Sequence, residues 1–182
     1  MRVIAGIRRG LKLKAPDGIN TRPTTDRVKE SVFNIIQSHL PAGNVLDLFA
    51  GSGALGIEAL SRGSEKCVFV ENNRESYSLV EHNINLSKLS DKARLLFKDS
   101  VSYLKSADES FDIIFLDPPY NKDFILPVLS LISERNLLAD NGIVVVETEK
   151  GGESVTHPDY KIIREATYGK TVIYVLIRGE EK

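Results

Sequence analysis

The sequence predicts an α/β fold: a mostly parallel sheet covered on both faces and finished by an antiparallel hairpin. Three observations lead there. Strand-like apolar runs alternate with helical patterns from Asn44 to Glu147, which is the order of a parallel sheet with crossover helices. The runs are nearly continuous in apolar residues, as in Phe111-Asp112-Ile113-Ile114-Phe115-Leu116, and strands read this way when both their faces are buried. The last two runs, Tyr160–Glu165 and Thr171–Ile177, are joined through Tyr168-Gly169-Lys170, and so tight a connection forces an antiparallel pair.

Each element follows from local pattern. Val3-Ile4-Ala5-Gly6 and Leu11-Lys12-Leu13, around Ile7-Arg8-Arg9-Gly10, read as a small basic β-hairpin. Ala15-Pro16-Asp17-Gly18 is a turn. Thr24, Thr25 or Asp26 can cap a helix whose apolar positions Val28, Val32, Ile35, Ile36 and Leu40 keep helical spacing, with Pro41 and Gly43 ending it. The pattern then predicts strands over 44–49, 66–70, 93–97, 111–116 and 142–147. It predicts helices over 54–61, 75–86, 101–106 and 124–133. In the helix over 75–86 the periodic positions are Leu79, His82, Ile84 and Leu86.

Composition excludes several classes. At 182 residues, with 42% apolar and 27% charged side chains, the chain has the balance of one ordinary globular domain. No run approaches the roughly 20 apolar residues of a membrane helix. Met1 is followed by Arg2 and a strand-like run, so no signal peptide is expected. Cys67 is the sole cysteine and is expected as a buried strand residue, while His39, His82 and His157 are scattered. A disulfide scaffold and a metal site are therefore disfavoured, and a reducing cytoplasmic compartment is the default. The net charge of −1 hides an asymmetry: residues 1–30 carry a net +5 and the remainder a net −6. A cationic leading segment on an acidic body hints at nucleic-acid contact, although a solvated basic face gives the same pattern.

The chemistry begins at Asp47-Leu48-Phe49-Ala50-Gly51-Ser52-Gly53-Ala54-Leu55-Gly56, at the first strand-to-helix turn. Gly51, Gly53 and Gly56 form a G-x-G-x-x-G, which lets a ligand approach the backbone at a helix N-terminus. A dinucleotide pyrophosphate can use such a turn. Asp47, however, points an acid at the site, which repels pyrophosphate and suits the ammonium group of a methionine moiety. S-adenosylmethionine is the preferred reading over a nicotinamide cofactor, and the closing antiparallel hairpin tilts the fold the same way. Glu71, at the end of the next strand, can accept ribose hydroxyls; the alternative is a surface Glu before a helix capped by Asn72 or Asn73. Asp99 can accept from an adenine amino group beside the Ser100 N–H, or cap a helix.

Asp117-Pro118-Pro119-Tyr120 directly follows a buried strand. The prolines lack N–H donors, so the turn is rich in acceptors. It suits an exocyclic nucleobase amine. The Asp117 carboxylate and Pro118 carbonyl can hold its two N–H bonds while charge moves to the nitrogen, and Tyr120 can stack on the base.

These residues resemble the [Asn/Asp]-Pro-Pro-[Tyr/Phe] motif of class I amino-methyltransferases, and the chain as a whole is similar to the bacterial 16S ribosomal RNA (guanine-N2)-methyltransferase family. The resemblance runs nearly end to end. It rests on Arg2-Val3-Ile4-Ala5-Gly6 with Arg9-Gly10-Leu11-Lys12-Leu13, on Arg22-Pro23-Thr24-Thr25-Asp26-Arg27-Val28-Lys29-Glu30-Ser31-Val32-Phe33-Asn34, and on Asp47 through Gly63. It implies a Rossmann-like sheet of seven strands with an antiparallel last strand, preceded by the small hairpin. On this reading residues 1–20 are a basic extension and 21–182 the methyltransferase domain. The implied cofactor is S-adenosylmethionine, held by Asp47, Phe49, Gly51, Ser52, Gly53, Glu71, Asn72, Asp99 and Ser100. A guanine is presented to Asp117, Pro118, Pro119 and Tyr120 for transfer to N2. Arg8, Arg9, Lys12, Lys14, Arg22, Thr24 and Arg27 would contact RNA, positioning rather than specifying. The implied partner is 16S rRNA in the small subunit, assembled or assembling, met by a monomer without metal. Adenine N6 in DNA, a protein glutamine amide, or a non-catalytic RNA-binding role are the alternatives.

Overall fold

The computed structural model describes residues 1–16, 26–119 and 124–179. One seven-stranded sheet runs through it: β1 (Asn44–Asp47), β2 (Lys66–Glu71), β3 (Ala93–Phe97), β4 (Phe111–Leu116), β5 (Leu138–Glu149), β6 (Tyr160–Tyr168) and β7 (Thr171–Arg178). The order is β3-β2-β1-β4-β5-β7-β6. The first five strands pair in parallel, and β7 is antiparallel to both β5 and β6. The expected Rossmann-like sheet with its antiparallel closing strand is present.

The helices are α1 (Asp26–Ile35), α2 (Ala54–Ser61), α3 (Arg74–Ser87), α4 (Ser100–Ser106) and α5 (Ile125–Glu134). Apolar residues on successive strand positions point to opposite faces, so two cores form. Val45, Cys67, Phe69, Ile113, Phe115 and Val145 meet α1, α2 and α3 on one face. Leu46, Val68, Val70, Ile114, Leu116 and Val144 meet α4 and α5 on the other. No helix of the described residues is long and apolar enough to cross a membrane.

Several boundaries differ from expectation, each for a physical reason. α1 ends at Ile35 rather than reaching Leu40, because the chain tightens into a 3-10 turn at Gln37–His39. β1 ends at Asp47, where the backbone leaves the sheet to form the glycine turn, although Leu48 N–H still reaches the Phe115 carbonyl at 3.2 Å. β5 starts at Leu138, four residues before Gly142, because the extra chain over Leu138–Ile143 of β5 bulges opposite Phe111–Ile113 of β4. On α3 the buried positions are Val80, Asn83, Ile84 and Ser87. His82 and Leu86 face solvent instead. The face is displaced because Asn83 and Ser87 bury their polar atoms in hydrogen bonds, which an apolar count does not register.

The leading segment folds back as expected, but with one antiparallel bridge, Arg2 with Lys12, rather than two strands. Its tip winds into a 3-10 turn over Gly6–Arg8. The hairpin is seated on α2. Ile4 and Ala5 N–H donate to the Glu58 carboxylate at 2.7 and 2.9 Å, and Ser61 Oγ donates to the Ala5 carbonyl at 2.6 Å. Lys29 Nζ lies 3.3 Å from Glu58 and donates to the Arg2 carbonyl at 2.5 Å, with both side chains wholly buried. Arg62 Nε closes the group at 2.9 Å from Glu58.

Candidate active site

Four acids stand at or just past the carboxyl ends of four neighbouring strands: Asp99 after β3, Glu71 on β2, Asp47 on β1 and Asp117 after β4. The sheet order reverses between β1 and β4, and in open α/β sheets ligands bind outside the carboxyl ends at such a point. Topology alone therefore brings the glycine turn and the Asp117-Pro118-Pro119 turn side by side.

Gly51 and Gly53 adopt φ of 57° and 75°, in the left-handed region that glycine enters without a Cβ penalty. Gly53 is the N-cap of α2 and offers it no side-chain acceptor. Asp47 supplies one from behind, its Oδ2 accepting from Gly56 N–H at 3.0 Å. The carboxyl is buried, with 2% of Asp47 exposed. Burial pushes its pKa up to about 8; the Gly56 N–H opposes the rise, and the neighbouring charges of Asp117 and Glu71 add to it. Glu71 clamps the other side of the turn. Its Oε2 accepts from Gly51 N–H at 2.8 Å, and its Oε1 accepts from Asn72 and Asn73 N–H at 2.9 and 2.8 Å. Phe49 is half-buried and packs on Phe124, with ring centroids 5.7 Å apart, which links the glycine turn to the segment after Asp117.

Further along the edge, Asn73 rather than Asn72 caps α3, accepting from Glu75 and Ser76 N–H at 3.0 Å each. Asp99 is the N-cap of α4, with Oδ1 accepting from Ser102 N–H at 2.9 Å. That bond uses one of its two carboxylate oxygens. Ser100 is buried. On the other side, Pro118 is buried and Pro119 exposed, beside a hollow that also touches Glu147 and Glu153. Glu153 accepts from Ile125 N–H at 2.9 Å and caps α5, whose own N-cap, Phe124, has no acceptor. Tyr120, Arg22 and Thr24 lie outside the described residues.

Of the basic candidates, Arg9, Lys12 and Arg27 are exposed, and Arg8 donates to the Lys88 carbonyl at 3.2 Å. Lys14 is tied through its backbone: Asn83 Oδ1 accepts from Lys14 N–H at 2.8 Å, and Asn83 Nδ2 donates to Lys14 O at 3.0 Å and Ser52 O at 2.8 Å. Sequence reasoning missed Asn83, and also Lys29 and Glu58. A signal was available for the last two: each is a charged residue at a position whose helix neighbours make it face inward, Glu58 within Ala54-Leu55-Gly56-Ile57-Glu58-Ala59-Leu60.

The site is therefore an acceptor-lined cleft. Among the described residues neither Asp47 nor Glu71 has a cationic partner, and burial of Asp47 beside other acids leaves a deficit of positive charge. Such a donor set fits a ligand that brings a cation and hydroxyl groups.

Comparisons with known proteins identify the family and the fold. Residues 1–177 match the family described as Conserved hypothetical protein 95. The chain is 42% identical over 179 residues to the putative rRNA methyltransferase YlbH of Bacillus subtilis, covering 96% of this chain and 97% of that protein. It is 37% identical over 172 residues to ribosomal RNA small subunit methyltransferase D of Haemophilus influenzae, covering 93% and 89%. A solved structure, the putative methyltransferase yhhF from Escherichia coli, superposes with a TM-score of 0.86 at 33% identity, covering 98% of this chain and 97% of that one. The chain belongs to the Conserved hypothetical protein 95 family, together with the ribosomal RNA small subunit methyltransferases D.

Proposed function

We propose that the chain transfers a methyl group from S-adenosylmethionine to the exocyclic N2 of a guanine in 16S rRNA of the small ribosomal subunit. Methylation of small-subunit rRNA follows from the relatives. The cofactor and the guanine amine are supported by the site's chemistry. The observation that carries this reading is the adjacency, across the β1–β4 reversal, of a cation-deficient glycine turn and an acceptor-rich Asp-Pro-Pro turn.

When bound, the cofactor supplies an electrophilic methyl on a sulfonium. The chain's residues do the rest. Asp47 braces the turn and offsets a nearby ammonium, while Glu71 and Asp99 accept from hydroxyl and amino groups. Asp117 and the Pro118 carbonyl accept from the guanine amine and orient its nitrogen towards the methyl. The fixed Asp117 carboxylate stabilises the positive charge that appears at that nitrogen, an interaction strongest in the transition state. Tyr120 is assigned the stacking role. Residues 1–20 serve as an RNA-facing extension of the domain formed by 21–182, working as a monomer in the cytoplasm on assembled or assembling subunits.

The test is transfer from labelled cofactor to unmodified small subunits, followed by mapping of the modified base. Wild type labels one guanine at N2, whereas Asp117→Ala abolishes transfer and retains cofactor binding. Full activity of Asp117→Ala overturns the mechanism. Label on DNA or protein instead of rRNA overturns the substrate.

A further inference from the structure

A broad groove lies on the described surface away from the cleft. It holds about 540 Å³ between the outer face of α1 and the edge of the sheet. Ser31, Asn34 and Ser38 line one wall; Ile163, Arg164 and Tyr168 of β6 line the other. We infer that this groove is a second RNA-binding surface, which takes a single-stranded stretch of rRNA flanking the target nucleotide. The inference rests on the methyltransferase reading above and extends its substrate contacts to a face that reading does not use.

Four observations carry it. First, the polar wall continues a stripe that begins at Arg27, since residues 27, 31 and 34 share one face of α1. Second, the β6 wall is cationic. In antiparallel pairs, facing residues project to the same side. Lys161, Arg164 and Tyr168 pair with Ile177, Val175 and Thr171, so they share the side of the sheet that α1 covers further in. Glu165 pairs with Tyr174 and projects to the opposite side. Among the described residues no carboxylate lines the groove, although the chain beyond residue 30 carries a net −6. Glu30 is exposed on α1 and, at helical spacing, neighbours Arg27 and Asn34 at the margin of the stripe.

Third, the wall combines a half-exposed tyrosine ring, an exposed guanidinium and short amide and hydroxyl groups. This is the set by which proteins hold unpaired RNA, stacking bases on aromatic and guanidinium planes while donors meet phosphate and 2′-OH. Fourth, the edge itself is poorly suited to a protein strand. β6 is terminal in the sheet, but a bulge between Ile162 and Arg164 interrupts its ladder and leaves Ile163 46% exposed. Bulges and cations are the devices that keep edge strands from pairing. β6 lies three strands from β4, roughly 14 Å at ordinary strand spacing, so a chain entering the cleft at Asp117 reaches the groove within a few nucleotides.

The experiment compares wild type, Arg164→Glu and Arg164→Lys on unmodified small subunits. Arg164 is exposed and makes no hydrogen bond or ion pair among the described residues, so the variants keep the fold. Arg164→Glu raises the KM for subunits roughly tenfold and lowers the salt slope of binding by about 1. Its kcat at saturation and its cofactor Kd stay at wild-type values, and Arg164→Lys, which keeps the charge but loses the stacking plane, falls between the two in KM. A photo-crosslinker at Ser38 labels 16S rRNA. An unchanged KM in Arg164→Glu, or a crosslink to a ribosomal protein in place of rRNA, overturns the groove while wild-type methylation stands. Absence of transfer by wild type overturns the methyltransferase reading and the groove with it.

Discussion

The side-chain amide of Asn83 donates to the Ser52 carbonyl at 2.8 Å, and the same amide brackets the backbone of Lys14, accepting from its N–H and donating to its carbonyl. One fully buried side chain on α3 thus joins the glycine turn to the end of the basic hairpin. Position of the hairpin and shape of the glycine turn are coupled through it. Removing one partner leaves buried groups without hydrogen bonds, which costs about 1–3 kcal/mol. Asn83→Ala is expected to lower stability by that amount in urea titration and to weaken cofactor binding several-fold in calorimetry. Loss of stability with unchanged cofactor affinity would show that Asn83 supports the fold without shaping the turn.

Asp47 makes a prediction about pH. Its folded pKa is raised from 3.8 to about 8, chiefly by burial. A raised acid binds its proton more tightly folded than unfolded. Its stabilising contribution is therefore complete below the unfolded value and is lost as pH climbs through the folded one. Stability of the ligand-free protein is expected to fall between about pH 4 and pH 8 through this group. Asp47→Asn, which keeps an acceptor for Gly56, flattens that fall. A cationic ligand favours the carboxylate, so binding near pH 7 releases close to one proton in wild type and none in Asp47→Asn. Calorimetry in buffers of different ionisation enthalpy measures the release, and equal values for the two proteins would contradict the assignment.

Glu58 and Lys29 offer a contrast within one buried pair. Lys29→Met leaves the Glu58 carboxylate with three donors, Ile4 N–H, Ala5 N–H and Arg62. Glu58→Met orphans both hairpin amides and leaves Lys29 buried without its acid. Breaking a buried pair by losing one partner costs about 3–5 kcal/mol. Lys29→Met is expected at or below that range and Glu58→Met at its upper end. Limited proteolysis should cleave Glu58→Met first within residues 1–13, with the sheet still intact. Equal destabilisation of the two variants would argue that the ion pair, rather than the hairpin seat, sets the cost.

Much of the architecture was legible because strand burial and sequence pattern coincide. β3, β4 and α2 fall where the apolar runs and flanking glycines place them, and Cys67 is buried as expected. The positions of the four acids were legible for a related reason: each closes a strand or lies within two residues of its end, so the strand's end fixes its position. What escaped the reading was polar and buried. Asn83, Lys29 and Glu58 sit on inward faces because hydrogen-bond partners distant in sequence await them there. Apolar spacing carries no information about such partners, and it shifted the buried face of α3 towards His82 and Leu86. The leading hairpin was legible as a reversal but not as a single bridge, because a few backbone hydrogen bonds are supplemented by Glu58 and Ser61, partners distant in sequence.

Two glycines of that hairpin separate backbone strain from lack of space. Gly6 and Gly10 have φ of 79° and 85°, so a side chain at either pays the left-handed penalty of roughly 1–2 kcal/mol. Around Gly10 a Cβ would meet nothing within 4 Å. At Gly6 it would lie 1.8 Å from the Ser61 carbonyl oxygen and 2.7 Å from the Arg62 nitrogen, both backbone atoms that cannot rotate away. Gly10→Ala is therefore expected to lose only the conformational penalty, with subunit KM near wild type. Gly6→Ala must lift the tip off α2, which breaks the Ser61 bonds to Ala5 and Arg8 and moves the exposed Arg9. Its stability loss should exceed that of Gly10→Ala by about 1–3 kcal/mol, the cost of the orphaned polar groups, and its subunit KM should rise while cofactor Kd changes less. Matching losses in denaturant titrations of the two variants would mean that the tip is not held against α2 in solution.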